Sequence, residues 1–365
     1  VTRWDETRGL GLAERKTVFG LAAGNAGAAI WIWSRTDPYR WNRSDGSSTL
    51  WIDMLSGLGR FAAAAEPHLS DALPGEVAIV LPQTLQLSAY NAYAIEAQQN
   101  AVRALFYGSR ATAYAVGEHQ IELLGDPKLI ILPSPWMLSE PAWQGILEAV
   151  RGGARLLVSG RFDLDEHFRP TGRQAEIGIE YEGQILATRE NHLDWPGGEG
   201  WLSFTGDKTT YIDQAVFPDQ RTFSRHPLGE GEILFFALPL ELSDDVEFLS
   251  RIYSWALAEA AVSPVYETSL ADPGIVISPT VLERATLYVI ASESSRFNRV
   301  RFRDVRSQRP VEVELPPGRA AVLLVTNDGE IPARYDPRSV SAGYCWQPVK
   351  TPSRSLGPQS ATQVE

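Results

Sequence analysis

The residues best suited to chemistry sit in a few short stretches. Near the start of the chain, Trp31 and Trp33 flank Ile32 in the apolar run Gly27-Ala-Ala-Ile-Trp-Ile-Trp33. In a strand the two indoles would share one face, with Ile32 on the other. A polar, aromatic loop follows, Ser34-Arg-Thr-Asp-Pro-Tyr-Arg-Trp-Asn-Arg-Ser-Asp-Gly46, which carries Arg35, Asp37, Tyr39 and Trp41. Indole faces stack on the C–H faces of sugars, and they also pack cores, so the tryptophans serve either purpose. Farther along, Ser159 ends an apolar run where a strand-to-helix nucleophile could stand, but no G-x-S-x-G elbow surrounds it. Glu118-His119 is an acid/base pair only if a nucleophile is near. Asp163-Leu-Asp-Glu-His167 reads as a solvated turn before it reads as a metal site.

The bulk numbers exclude several classes. The chain has 365 residues, enough for two or three domains, with 11 Trp, 12 Tyr and 13 Phe. A net charge of −12 and a pI near 5.0 argue against nucleic acid and anionic membranes as partners. The single cysteine, Cys345, rules out a disulfide framework and a cysteine zinc site. The five histidines, His68, His119, His167, His192 and His226, show no H-x-x-H or H-E-x-x-H spacing, so no metal is expected. No apolar run reaches the roughly 18 residues of a membrane span, and a soluble protein, cytoplasmic or secreted, is expected. The opening Val1-Thr-Arg-Trp4 is no signal peptide and reads as the middle of something longer.

The elements that must position these residues follow from pattern. Val77–Leu81, Ala111–Val116, Lys128–Leu132 and Ala154–Val158 are short apolar runs that suit strands buried on both faces. Helix-length segments, Ser88–Tyr107 and Glu140–Arg151, separate them, which predicts an α/β fold built on a parallel sheet. Ligands of such sheets lie at the carboxyl ends of the strands. No Gly-rich phosphate loop follows the first strand, where Leu81-Pro-Gln-Thr-Leu85 stands, and no cofactor is expected. Upstream, helices are predicted over Leu12–Ala26 and Ser48–Ala65. Downstream, a late strand over Gly229–Leu238 precedes a helix over Asp244–Ala261, which Ser263-Pro264 ends. The runs at 274–278, 285–290, 300–303, 311–315 and 320–325 predict a small antiparallel sandwich. Arginines from Arg296 to Arg309 then fall on its outer face. The Ser-, Pro- and Gln-rich tail, 336–365, is expected to be partly disordered.

Two resemblances refine this reading. Lys128-Leu-Ile-Ile-Leu-Pro-Ser134, a helix, then Gly152-Gly-Ala-Arg-Leu-Leu-Val-Ser-Gly160 resembles the flavodoxin-like, class I glutamine amidotransferase-like fold. That family requires a cysteine where this chain has Ser159, so the resemblance implies an assembly role without the chemistry. A serine hydrolase built on Ser159 would need His119, His192 or His226 within hydrogen-bond reach. The second resemblance rests on Ala22-Ala-Gly-Asn-Ala-Gly-Ala-Ala-Ile-Trp-Ile-Trp33 and Ser44-Asp-Gly-Ser47 before a long helix. These resemble the end of the (β/α)₈ barrel in glycoside hydrolase family 42, the β-galactosidase-like group. That family continues with a trimerisation domain and a β-sandwich, the order found here.

The second resemblance implies four segments: 1–66 the last strand–helix segment of a TIM-type barrel, 67–263 the amidotransferase-like assembly domain, 264–335 the sandwich, and 336–365 the tail. It implies a retaining hydrolase of β-galactosides or related glycosides, a homo-oligomer and possibly a trimer, with Trp33, Arg35, Asp37 and Trp41 walling the substrate site. Its two catalytic carboxylates end the fourth and seventh barrel strands, which places them outside this chain; Glu6 is the one weak candidate within it. Alone, the chain is expected to be inactive and, with an orphan barrel segment exposed, inclined to associate. The rival reading is a stand-alone, non-catalytic oligomerisation protein.

Overall fold

The computed structural model describes residues 6–22, 50–179, 183–186, 189–205, 213–216, 221–270, 272 and 274–337. Two helices come first, α1 (Glu6–Ala22) and α2 (Leu50–Ala65). The first helix, expected over Leu12–Ala26, starts earlier, at Glu6, and runs through Gly9 and Gly11 despite their poor helix propensity. Gly11 is instead used for close approach: a Cβ at that position would lie 2.4 Å from the carbonyl oxygen of Gly318. The expected strand at 27–33 and the loop after it lie outside the described residues.

The chain then builds β1 (Val77–Leu81), α3 (Gln83–Gln86), α4 (Asn91–Gly108), β2 (Ala113–Gly117), β3 (Leu129–Leu132), α5 (Glu140–Arg151), β4 (Arg155–Ser159) and α6 (Arg173–Glu176). Next come β5 (Gly183–Leu186), β6 (Glu190–Trp195), β7 (Gly198–Ser203), β8 (Asp213–Val216), β9 (Phe223–Leu228), β10 (Gly231–Phe236) and α7 (Val246–Glu259). One six-stranded sheet runs in the order β2-β1-β3-β4-β10-β9. All its pairings are parallel except β10 with β9. The sheet is therefore mixed, with β9 as an antiparallel edge strand. β5 pairs with β8 and β6 with β7 in two small antiparallel additions.

Burial explains why the central strands read as continuous apolar runs. Ala78, Val80, Ile130, Leu132, Leu156 and Val158 pack with Ala142, Trp143, Ile146, Leu147 and Val150 of α5. Their strand neighbours Val77, Ile79, Leu129, Ile131 and Leu157 pack on the opposite layer, with Ala94 and Ala97 of α4 and Leu249 and Ile252 of α7. At about 25 cal/mol per Å², apolar burial on both faces is what holds this sheet together. α7 begins where Asp245 accepts from the Phe248 amide at 2.8 Å, a side-chain cap suited to the positive helix end.

The last third adds β11 (Tyr266–Glu267), β12 (Ile275–Val281), β13 (Ala285–Ser292), β14 (Asn298–Asp304), β15 (Pro310–Leu315), β16 (Ala320–Thr326) and β17 (Ala333–Tyr335). They form two antiparallel sheets, β11-β14-β15 and β12-β13-β16-β17. Val300, Phe302, Val311 and Val313 of the first sheet pack on Tyr288, Ile290, Leu323 and Val325 of the second. The other face of the four-stranded sheet is covered by α1 and α2. Leu10, Val18, Met54, Leu58 and Phe61 bury against Leu287, Val289, Val322, Leu324 and Tyr335. β13 is buried at all eight positions for this reason, since it has a sheet in front and helices behind. β14 alternates instead: Arg299, Arg301 and Arg303 face solvent and pair with Glu314, Glu312 and Glu267 across the sheet. The expected exposed apolar side of the N-terminal segment is, for these two helices, covered.

A buried charge pair fixes the same contact. Glu14, on α1, is fully buried and accepts from Arg319 Nε and Nη2 at 2.7 and 2.8 Å, from the Ala320 amide at 2.9 Å, and from the Tyr335 hydroxyl. Burial pulls the Arg319 guanidinium down, but the hydrogen bonds and charge of Glu14 more than offset it and its pKa is raised. Among the described residues, no helix is long and apolar enough to cross a membrane.

Candidate functional site

The residues singled out for sugar contact, Trp33, Arg35, Asp37, Tyr39 and Trp41, lie outside the described residues, as do Trp31 and the tail beyond 337. Glu6 is the first residue of α1, and its side chain is outside the description too. What the structure does describe is the carboxyl edge of the parallel strands, where the loops after β1, β2, β3 and β4 converge. The crossovers from β1 run to β2 on one side while β3 starts on the other, so this edge holds the topological switch point of the sheet.

Ser159 ends β4 and is fully buried. Its hydroxyl lies 3.1 Å from Ser134 Oγ, donates to Glu241 Oε2, and accepts from the Leu240 amide at 3.2 Å. No histidine is among these partners. His226 contacts Ser224 Oγ at 2.8 Å, His119 lies 3.7 Å from Glu118, and His192 lies 3.6 Å from Glu199. A hydrolase built on Ser159 and an imidazole therefore has no geometric basis in these contacts.

The centre of the cluster is Glu241, which sequence reasoning misses. It is fully buried in the 3₁₀ turn Leu240–Leu242 after β10. Ser134 donates to Oε2 at 2.6 Å and Tyr253 of α7 donates to Oε1 at 2.8 Å, with Ser159 as the third hydroxyl. Asn100 of α4 holds the Glu241 carbonyl at 2.9 Å. Burial pushes the Glu241 carboxyl up, although the three hydroxyls pull the other way. Burial, followed by the charge of Glu241, pushes the Tyr253 phenol well up. Ser134 reaches this position with φ 41°, in the left-handed region that a side chain enters only when its surroundings compel it. A Ser–Glu pair suggests nucleophile and base, but neither group reaches solvent. The cluster ties the ends of β3, β4 and β10 to α7. A sequence signal is present: a lone carboxylate inside the apolar run Phe235–Leu242 has to find partners.

A second buried carboxylate, Glu118, follows β2. Thr84, after β1, donates to its Oε1, while Oε2 has no hydrogen-bond partner. Burial again raises its pKa, against the pull of Thr84. The Asp163–His167 stretch is a turn, as its composition suggests: Asp165 accepts from the amides of His167 and Arg169, each at 2.8 Å. Among the described residues, no group of three or more His, Cys, Asp or Glu could hold a metal. An aromatic cluster completes the edge: the Tyr90 and Trp136 rings meet at 4.5 Å with their planes tilted by 54°, Phe168 lies 6.3 Å from Tyr90, and the Arg161 guanidinium covers Trp136 at 5.3 Å.

This architecture has been seen before. A β-galactosidase from Bacillus circulans sp. alkalophilus superposes with a TM-score of 0.62 at 15% identity, over 86% of this chain and 52% of that one. A catalytic mutant of a family 42 (GH42) β-galactosidase from G. stearothermophilus gives 0.57 at 15% identity, over 79% and 48%. The β-galactosidase of the Antarctic haloarchaeon Halorubrum lacusprofundi gives 0.58 at 15% identity, over 84% and 49%. The fold is shared. At such identities the fold alone is what the likeness establishes, and the chain spans about half the length of those proteins. No protein-family model matches the chain, and no curated protein sequence matches it.

Proposed function

We propose that this chain is the C-terminal portion of a retaining glycoside hydrolase of the family 42 β-galactosidase type. The observation that carries the reading is the asymmetry of coverage: 86% of this chain superposes on only 52% of a β-galactosidase. In this reading residues 1–66 close a (β/α)₈ barrel, 67–263 form an amidotransferase-like assembly domain, and 264–335 form the sandwich. The substrate is a β-galactoside or related glycoside, and the assembly domain joins copies into a homo-oligomer, a trimer in the form the resemblance implies. Retaining hydrolysis needs two carboxylates about 5 Å apart, one as acid/base and one as nucleophile. On a barrel they stand at the carboxyl ends of strands. The strands that would carry them precede this segment, so Trp33, Arg35, Asp37 and Trp41 contribute substrate contacts and not the bond-breaking groups. Neither the Glu241 cluster nor Glu118 takes part in the reaction. Both are remote from solvent and serve to hold the assembly domain together.

The test begins with the DNA upstream of the Val1 codon. An open frame of several hundred codons should be found, and the extended protein should hydrolyse p-nitrophenyl β-galactoside while residues 1–365 alone should not. In the extended protein, Trp33→Ala should raise KM more than it lowers kcat. A stop codon and ribosome-binding site directly before Val1 would overturn the reading and leave a non-catalytic assembly protein. Light scattering on the extended protein checks the oligomer.

A further inference from the structure

The hairpin β6–β7 presents a solvent-facing array that neither the buried clusters nor the sheet edge uses. Its register pairs Glu190 with Ser203, His192 with Trp201, and Asp194 with Glu199. Alternation puts all six on the outer face, with Asn191, Leu193, Trp195 and Leu202 turned inward. Trp201 is 61% exposed, an unusual state for so large an apolar ring in a protein with a well-filled core. The His192 ring meets it edge-on at 5.2 Å, and His192 Nε2 lies 3.6 Å from Glu199.

The hairpin is held rigidly from behind. Leu193, Trp195 and Leu202 are buried in the same core as α7, and the Trp195 ring meets Phe248 edge-on at 5.5 Å. Gly200, next to Trp201, has no room for a side chain, since a Cβ there would lie 2.1 Å from Phe248. Thr222 staples the Asp194 backbone, accepting from its amide at 3.0 Å and donating to its carbonyl at 3.2 Å. The indole is thus presented at fixed height on a stiff support, which lowers the entropy cost of binding to it.

We infer that the Trp201 face of this hairpin is a binding platform for a neutral saccharide. A pyranose has an apolar C–H face for the indole and hydroxyls that donate to carboxylates beside it, and Asp194 and Glu199 form the next cross-strand pair along this face. Of the six paired side chains on this face, Glu190, Asp194 and Glu199 are acidic and none is lysine or arginine, a balance unfavourable to anionic ligands. The centre of a protein–protein interface is depleted of charge, whereas here an acidic pair stands beside Trp201 on the same face. The inference stands apart from the proposed hydrolase activity, because its test reads binding by the chain as it is.

Native electrophoresis in gels containing soluble β-1,4-galactan or hydroxyethylcellulose provides that test, with light scattering on the same samples. Retardation in at least one glycan is expected, lost in Trp201→Ala, weakened in Glu199→Gln and retained in Phe168→Ala, which removes an exposed aromatic elsewhere. Circular dichroism of Trp201→Ala should match the parent, since the ring supports no core. The inference is overturned if neither glycan retards the parent chain, or if Trp201→Ala is retarded equally. It is also overturned if the parent self-associates through Trp201 without binding either glycan.

Discussion

Glu14 and Glu241 are both fully buried, yet their surroundings differ in kind. Glu14 joins α1 to β16 and β17 across some three hundred residues of chain, and its principal partner is a cation, Arg319, met through two nitrogens. Glu241 sits at the end of the parallel sheet and meets three hydroxyls and no cation. The carboxylate–guanidinium pair is indivisible, because removing either partner leaves the other buried alone. A carboxyl facing hydroxyls can keep its proton, and burial pushes Glu241 that way. One arrangement welds two distant segments together; the other pins loops within one unit.

Breaking the charge pair should have the largest effect. Arg319→Ala leaves Glu14 buried and without its cation, and we expect a loss of roughly 3–5 kcal/mol in urea unfolding. Replacing both partners by apolar residues of similar volume should recover much of it. A loss under about 1 kcal/mol for Arg319→Ala would erase the contrast. The next effect belongs to Glu241→Ala, which strips Ser134, Ser159 and Tyr253 of their acceptor at a cost of about 2–3 kcal/mol. Glu241→Gln keeps an acceptor oxygen and avoids burying a charge, so it should lie within about 1 kcal/mol of the parent. If Gln proved as damaging as Ala, Glu241 would have to be ionised in the native state.

How these regions can be read from sequence follows from the same physics. Val77–Leu81 and Glu140–Arg151 are legible to the residue, because strands buried on both faces and a strongly amphipathic helix leave unmistakable patterns. The parallel strands of the mixed sheet and the antiparallel sheets after Ser263 are legible as well. The packing of α1 and α2 on β13 and β16 is not, since a helix's apolar stripe says that it is covered and not by what. Glu14 reads only as a charge near a helix start, because nothing in the sequence of Arg319, 305 residues away, points back to it. Ser159 reads as a possible nucleophile, whereas its true partner, Glu241, lies 82 residues on, inside an apolar run. Local pattern reports burial; it does not report partners. Trp33, Arg35, Asp37, Trp41 and Glu6 remain expectations.

The comparison sharpens further with pH. Glu241 and Glu118 both have native pKa values raised above the ordinary carboxylate value of 4.5, by burial in each case. Between that value and the raised one, the native state binds more protons than the unfolded state. The slope of unfolding free energy with pH is then negative, so stability falls as pH rises through this window, by up to about 1.4 kcal/mol per pH unit for each carboxyl. Urea midpoints taken from pH 4.5 to 8 should carry this contribution in the parent, and Glu241→Gln should remove the part that belongs to Glu241. Because burial lowers His226 and gives a slope of the opposite sign below 6.5, the contrast is read between parent and variant, and a Glu241→Gln variant with the parent's slope would contradict it.

The smallest effect tests the edge of the cluster. Ser159→Ala removes one of three hydroxyls on Glu241 and leaves the Leu240 amide without its acceptor, for a loss of about 1 kcal/mol. Because Ser134 and Tyr253 stay in place, the carboxyl keeps two donors and its surroundings stay dry. Losing a donor to the ionised form should raise its pKa further, which extends the decline of stability to higher pH in Ser159→Ala than in the parent. A variant with the same profile would mean that Ser159 spends its hydrogen on Ser134 instead, and that Glu241 is held by the other two hydroxyls alone.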